Sequence, residues 1–319
     1  MEYRQLGQSD LKVSAVTLGA WAIGGLFWGG TDEQQSIEAI QASIDAGVTT
    51  IDTAPVYGCG KSEEIVGKAI KGRRHEVQIL TKFGLRWDID KGTEHFDVEQ
   101  PEGGQVRIHK FTGKASIIEE CENSLRRLGI DEIDLYQQHW PDPGIHPEEA
   151  FAAVEKLLRD GKIRAAGVCN HSPEQMEAVR AVFPIVSNQP PFSMVRRDIE
   201  QDVIPYCQAG GLGVIVYSPM QLGLLTGKVT MDREFPPSDV RSRSPYFKPE
   251  NRRRVLDFLA RIQPIADDHG VTLAQLVVNW TIHRPGITAA LVGARNPRQA
   301  RENAGAAAFA GLEIGRAHV

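Results

Sequence analysis

The sequence predicts a parallel-stranded (β/α)8 barrel, and three observations lead there. Short β-branched or apolar runs alternate with amphipathic helical stretches in eight β-then-α units along 319 residues, the pattern of a closed parallel sheet wrapped by helices. No composition break divides the chain, so residues 1–319 read as one domain. Polar residues able to do chemistry collect where strands end, at the face where a barrel carries its ligand.

Residues 1–14 read as a hairpin, YRQL and LKVS around a Gly-Gln-Ser-Asp turn, placed to plug the bottom of the barrel. Strands are expected at 15–18, 49–53, 78–82, 133–138, 165–169, 185–189, 213–217 and 289–292. Helices are expected at 32–46, 62–71, 114–128, 147–160, 173–182 and 199–209, then as a pair at 252–269 and 273–283, and last at 297–306. Thr31 and Asp32 cap the first helix, and Ser62 with the acids after it caps the second. DAG, RLG, RDG and DHG set glycine just past four helix ends. Two connections, 85–113 and 220–251, exceed ordinary loop length and lie on the C-terminal face. The first carries Arg86, Trp87, His95, Phe96 and Phe111 and reads as a substrate lid. The second contains GLLTGK, whose small residues allow backbone to approach a ligand closely.

A chain that is 41% hydrophobic can bury a large core. Its net charge of −5 argues against a nucleic-acid surface, because the basic clusters at Arg196-Arg197 and 252–254 are too short to track a phosphate backbone. No apolar run has transmembrane length and no signal-peptide pattern opens the chain, so a cytoplasmic protein is expected, with no membrane partner. Cys59, Cys121, Cys169 and Cys207 are scattered, with no metal-ligand spacing, and read as reduced thiols.

The stretch 49–63, TTIDTAPVYGCGKSE, reads as strand, turn and helix start, with Asp52 and Tyr57 at the strand's mouth. ILTKFG sets Lys82, and DLYQQHWP sets His139, at the mouths of the next two strands. The ordered set DTA-x-x-YG-x-G-x-SE, TKFG and HWPD resembles the aldo/keto reductase superfamily, in particular its bacterial NADP-dependent members, over about residues 3–303. The resemblance implies a catalytic tetrad of Asp52, Tyr57, Lys82 and His139, reducing a small-molecule carbonyl with Tyr57 as general acid. A free phenol has a pKa of about 10, and each tenfold change in its acidity corresponds to about 1.4 kcal/mol. Lys82 is expected to pull Tyr57 down, Asp52 to keep Lys82 charged, and His139 to hydrogen-bond the substrate oxygen.

No doubly wound nucleotide fingerprint fits, since Gly58-Cys59-Gly60 leads to Glu63 where a third glycine belongs. A barrel instead holds phosphate at the ends of its seventh and eighth strands. There Gly293-Ala294-Arg295-Asn296 opens a helix whose backbone N–H groups, with Arg295 beside them, suit a 2′-phosphate. The resemblance assigns Gly293, Arg295, Gln299 and Asn303 to the adenosine end of NADPH. It assigns Asn170 and Gln189 to the nicotinamide carboxamide, and Tyr217 to stacking on the nicotinamide ring. Ser218, Met220, Gly223, Leu225, Gly227 and Lys228 would line the pyrophosphate. Where relatives more often carry Ser-Asn-Phe, this chain has Cys169-Asn170-His171; a thiol is the weaker donor, so the carboxamide is expected to lean on Asn170 and Gln189.

Trp21, Trp28, Trp87 and Trp140 lie in or beside mouth loops and read as walls of a pocket for small, hydroxylated carbonyls. A rival from another class is an NADPH-binding regulatory protein, as some similar proteins are potassium-channel subunits; the chain shows no coiled-coil heptad. A lyase using Lys82 as a Schiff-base nucleophile is a second rival. The strand mouths offer no convincing pair of carboxylates for a glycosidase. Residues 313–319, EIGRAHV, look like a translated sequencing adapter and read as a non-native tail.

Overall fold

A computed structural model of the chain describes residues 1–99 and 105–312; the expected non-native tail lies outside the described residues. Eight strands form the barrel: β1 (Val16–Gly19), β2 (Thr50–Asp52), β3 (Gln78–Phe83), β4 (Ile133–Gln138), β5 (Ile163–Cys169), β6 (Ser187–Gln189), β7 (Gly213–Val216) and β8 (Ala289–Val292). They pair in chain order, all parallel, and β8 returns to β1 through Ala290↔Val16, Leu291↔Thr17 and Val292↔Leu18. The (β/α)8 barrel read from the alternation is the observed fold.

Side chains alternate inward and outward along each strand. Inside, Leu80, Leu135, Ala165, Ile215, Ala289 and Leu291 meet Leu6, Leu11 and Val13 in one buried apolar cluster. The last three belong to the expected hairpin, whose strands Tyr3–Gln5 and Lys12–Ser14 pair antiparallel and whose apolar side closes the barrel floor. Two residues further along β3 and β4, the inward face changes from Leu80 and Leu135 to Lys82 and Gln137. Outside, Ile79, Tyr136, Val168 and Val214 pack with helix residues such as Ile117, Phe151 and Met176. Burial on both faces is why these strands read as nearly continuous apolar runs.

Most helices fall within two residues of expectation, and Asp32 caps Glu33–Asp45 by accepting from the Gln35 N–H at 2.9 Å. Ser62 is a correction. The helix Lys61–Ala69 is preceded by left-handed Gly60, and the buried Ser62 hydroxyl bonds Ala20 O at 2.9 Å and Thr53 Oγ1 at 2.8 Å. It ties the β1 and β2 loops together. The helix expected from 199 instead begins at Val203, after a separate 3-10 turn, Asp198–Glu200. Pro205 is the reason: with no N–H and a ring that clashes one turn back, it is tolerated only in a first turn.

The long connections carry secondary structure of their own. Within 85–113, Leu85–Arg86, Thr93–Glu99 and Gln105–Lys110 form an antiparallel sheet with the last strand in the middle. Arg107 bonds Asp97 and Glu94 across it. Val98 and Ile108 bury against Ala54, Val56 and Leu85, which seats the sheet on the β2 mouth. Segment 220–251 holds 3-10 turns and the four-residue helix Val240–Arg243. Among the described residues, no helix is long and apolar enough to cross a membrane.

Candidate active site

At the barrel mouth, β2 delivers Asp52 and β3 delivers Lys82, both buried. Lys82 Nζ donates to Asp52 Oδ1 at 2.5 Å and to Thr53 O at 2.9 Å. The other carboxylate oxygen accepts from Gln189 Nε2 at 2.8 Å and from Gln137 Nε2 at 3.3 Å. Lys82 Nζ lies 5.0 Å from the centre of the Tyr57 ring. His139, just beyond β4, meets that ring edge-on at 5.7 Å and 79°. The four residues singled out at consecutive strand mouths thus stand together. A Cβ built on Gly58 would fall 2.3 Å from Gly24 O, so the β1 and β2 loops touch backbone to backbone beside Tyr57. Only glycine allows that approach.

The charge states follow from burial and neighbours. Burial works against a charged Lys82, but Asp52 and Tyr57 outweigh it and hold the ammonium above its ordinary pKa. Burial pushes the Tyr57 hydroxyl up, and the Lys82 ammonium opposes this without reversing it. The expected net depression of Tyr57 is therefore not found, because desolvation of the phenolate exceeds its attraction to Lys82. His139 is held well below the ordinary histidine value by burial first, then by the charges of Lys82 and His95. At neutral pH the site presents a neutral imidazole, a protonated phenol and an ammonium.

Gln137 was not singled out from sequence. The signal was present in DLYQQHWP: Leu135, Gln137 and His139 alternate along one strand, so Gln137 shares the inward face with them. Cys169 Sγ donates to Gln137 Oε1 at 3.8 Å, so the thiol props the floor beneath the tetrad. His171 turns back on its own strand, donating from Nδ1 to Cys169 O at 2.8 Å, and burial draws its pKa down to about 4.

The residues assigned to NADPH fall at the ends of β5 to β8 and in the segments that follow them. Asn170, with a left-handed φ of 61°, donates to His139 O at 3.0 Å and accepts from the Tyr217 hydroxyl at 2.8 Å. Gln189 Nε2 donates to Asp52 Oδ2 and to Gln137 Oε1. After β7 the chain bends through left-handed Ser218, Gln221, Leu222 and Gly223. A Cβ on Gly223 would meet nothing within 4 Å, so the bend faces open space. Met220, Leu225 and Gly227 pack beneath it, against an apolar cluster or, for Gly227, against Leu273. Lys228 pairs with Glu302 at 3.2 Å.

After β8, Asn303 Nδ2 donates to Gly293 O at 3.0 Å, and Gln299 Oε1 accepts from the Arg295 N–H at 2.8 Å. Asn296 caps the helix Pro297–Gly305. The Arg295 guanidinium reaches Trp28 O at 3.3 Å and Gly30 O at 2.9 Å, using part of its five-donor fork. An open glycine bend, a capped helix start and two cationic side chains are the donor set a dinucleotide phosphate requires. NADPH fits these residues.

Of the tryptophans, Trp21 stands against the tetrad. Trp21 packs edge-on to Trp28 at 5.2 Å and lies 6.4 Å from Tyr57, and Trp140 follows His139 directly. Trp87 differs: its ring lies 6.0 Å from the Arg127 guanidinium, which bonds buried Glu63 at 2.7 Å. Trp87 also packs on the apolar cluster at the β2 mouth, against which Tyr57 and Trp140 pack as well. His95, in the expected lid, stands 5.1 Å from Trp140.

The aldo/keto reductase family model matches residues 15–314. Aldo-keto reductase YhdN of Bacillus subtilis is 42% identical over 94% of this chain and 86% of its own length. The NADH-specific methylglyoxal reductase of Escherichia coli is 36% identical over 94% of this chain and 92% of its own. Among solved structures, the glycerol dehydrogenase AKR11B4 of Gluconobacter oxydans superposes with a TM-score of 0.85 at 37% identity, covering 97% of this chain and 90% of that one. A Klebsiella pneumoniae aldo/keto reductase in complex with NADP and acetate gives 0.73 at 31% identity, covering 98% and 91%. With this match in sequence and in fold, the chain belongs to the aldo/keto reductase family.

Proposed function

We propose that the protein is an NADPH-dependent reductase converting small aldehydes and ketones, including hydroxylated ones, to alcohols in the cytoplasm. The observation that carries this reading is Lys82, buried between the Asp52 carboxylate and the Tyr57 ring, with the His139 imidazole on that ring's edge. Bound NADPH supplies the hydride for the carbonyl carbon. Asn170 and Gln189 orient the carboxamide, and Tyr217 backs the nicotinamide. Tyr57 stays protonated and gives its proton to the carbonyl oxygen as negative charge develops there. The adjacent Lys82 ammonium stabilises the phenolate left behind, and Asp52 keeps that ammonium charged and placed. Neutral His139 hydrogen-bonds the same oxygen.

Arg295 on the rim of the helix start favours NADPH over NADH, since only NADPH carries the 2′-phosphate. The methylglyoxal reductase relative is NADH-specific, so the preference is measured directly, by fluorescence titration with both cofactors followed by NADPH oxidation on a panel of aldehydes. Tighter NADPH binding with turnover is expected. Binding without turnover would favour the regulatory reading, and no binding would sink the cofactor assignment.

A further inference from the structure

His95 occupies a place in the insertion sheet that its neighbours do not. Opposite Gln105–Lys110 the register runs Thr93↔Lys110, Glu94↔His109 and then Phe96↔Ile108, so His95 is the extra residue of a β-bulge. A bulge releases one residue from the ladder and turns its side chain off the sheet's alternation. Here the turned imidazole stands between Phe96, with ring centres 4.9 Å apart, and Trp140, edge-on at 5.1 Å. Trp140 is the residue after His139, and His95 is among the groups that act on the His139 imidazole.

We propose that His95 contacts the substrate and reads a hydroxyl on the carbon next to the reacting carbonyl, which makes α-hydroxy aldehydes and ketones the preferred substrates. This rests on the reductase reading above and adds a specificity residue to it. Three further observations support it. Among the described residues, neither ring nitrogen of His95 has a hydrogen-bond partner, although aromatic packing fixes the ring. The half-buried ring keeps its pKa at about 4, lowered by burial first and then by Lys110, so at neutral pH one nitrogen donates and the other accepts. A hydroxyl needs that pairing, whereas a carboxylate would call for a cation. Around it, Phe27 packs on Phe96 at 6.0 Å and Trp21 lies 6.4 Å from Tyr57, carbon faces for the remainder of a small substrate, while Lys110 Nζ lies 5.2 Å over the Trp140 ring.

The test compares 2-hydroxypropanal with propanal, which differ only in that hydroxyl, for the wild type, His95→Phe and His95→Gln. NADPH affinity is read alongside as the measure of an intact site. His95→Phe keeps a planar ring in the aromatic stack but cannot hydrogen-bond. It is expected to lower kcat/KM for 2-hydroxypropanal by about tenfold, mainly through KM, the usual scale for one hydrogen bond. Propanal reduction and NADPH affinity should stay near wild type. His95→Gln, which keeps a donor and an acceptor, should recover part of the preference. Equal losses on both aldehydes, or no change on either, would overturn the proposal. A wild type that binds NADPH and reduces neither aldehyde would instead remove the reductase reading on which it rests.

Discussion

Lys82 Nζ lies 2.5 Å from Asp52 Oδ1, and both side chains are buried, at 0% and 1% exposure. A buried ion pair contributes little net stability, but breaking it leaves an uncompensated charge at a cost of about 3–5 kcal/mol. Asp52→Leu should therefore be strongly destabilised in urea unfolding. Asp52→Leu with Lys82→Met should regain much of that loss while remaining inactive as a reductase. A double variant no more stable than the single would show that the pair itself holds the mouth together.

Tyr57→Phe removes only the proton donor. NADPH affinity should be unchanged, and kcat for aldehyde reduction should fall by about 10²–10⁴, the usual share of a positioned general acid. Single-turnover mixing with NADPH and an aldehyde separates the chemical step from product release, and undiminished hydride transfer would refute the assignment.

Arg295→Ala should weaken NADPH binding by about ten- to a hundredfold, the scale of a hydrogen bond to a charged group. NADH binding should barely change. Raising ionic strength should shrink the difference in the wild type, because an exposed cation–phosphate contact is screened. Equal loss for both cofactors would place the 2′-phosphate elsewhere.

Glu120, on the helix Lys114–Leu128, accepts from the Gly84 N–H at 3.0 Å and from Ser116 Oγ at 3.3 Å, bracing the point where the insertion leaves β3. Burial raises its pKa from 4.5 to about 8, against the pull of Arg86. Between those values the folded protein keeps a proton that the unfolded chain has released. Its contribution is thus complete below pH 4.5, is lost as pH rises toward 8, and is flat beyond. Glu120→Gln should flatten that slope, by on the order of a few kcal/mol across the window. Melting temperatures at pH 5 and pH 8.5 provide the check, and an unchanged slope would assign the titration to another group.

The parts of the fold that could be read in advance are those set by local rules. Two-residue alternation along DLYQQHWP, the glycines that close DAG and RLG, and the hairpin before β1 all reflect the chain within a few residues, and the barrel follows from repeating them. The convergence of Asp52, Tyr57, Lys82 and His139 was legible because each sits at a strand end, and a barrel gathers its strand ends. What escaped depended on residues far apart. Ser62 resembles a cap by composition but bonds Ala20 O, which only the neighbouring loop supplies. The insertion sheet was hidden because the bulge at His95 interrupts the two-residue period and cross-strand charges, not an apolar stripe, mark its outer face. The direction in which the Tyr57 pKa moves depends on how many groups exclude water around the ring, which no spacing records.

The register between β8 and β1 also has a consequence in time. Ala290, Leu291 and Val292 complete the hydrogen-bonded ring begun by Val16, Thr17 and Leu18, and Arg295 then clasps the loop that follows β1. All four tetrad residues leave the ribosome early, since domains are made from the N-terminus onward, whereas the strand that shuts the ring is the eighth and last of the barrel to be translated. Until it emerges, the nascent chain exposes two unpaired edges, at β1 and at β7, of the kind that chaperones shield and aggregation exploits. The closed ring is therefore gained only once β8 has emerged, so a ribosome stalled just before β8 would carry all four tetrad residues and no barrel to hold them.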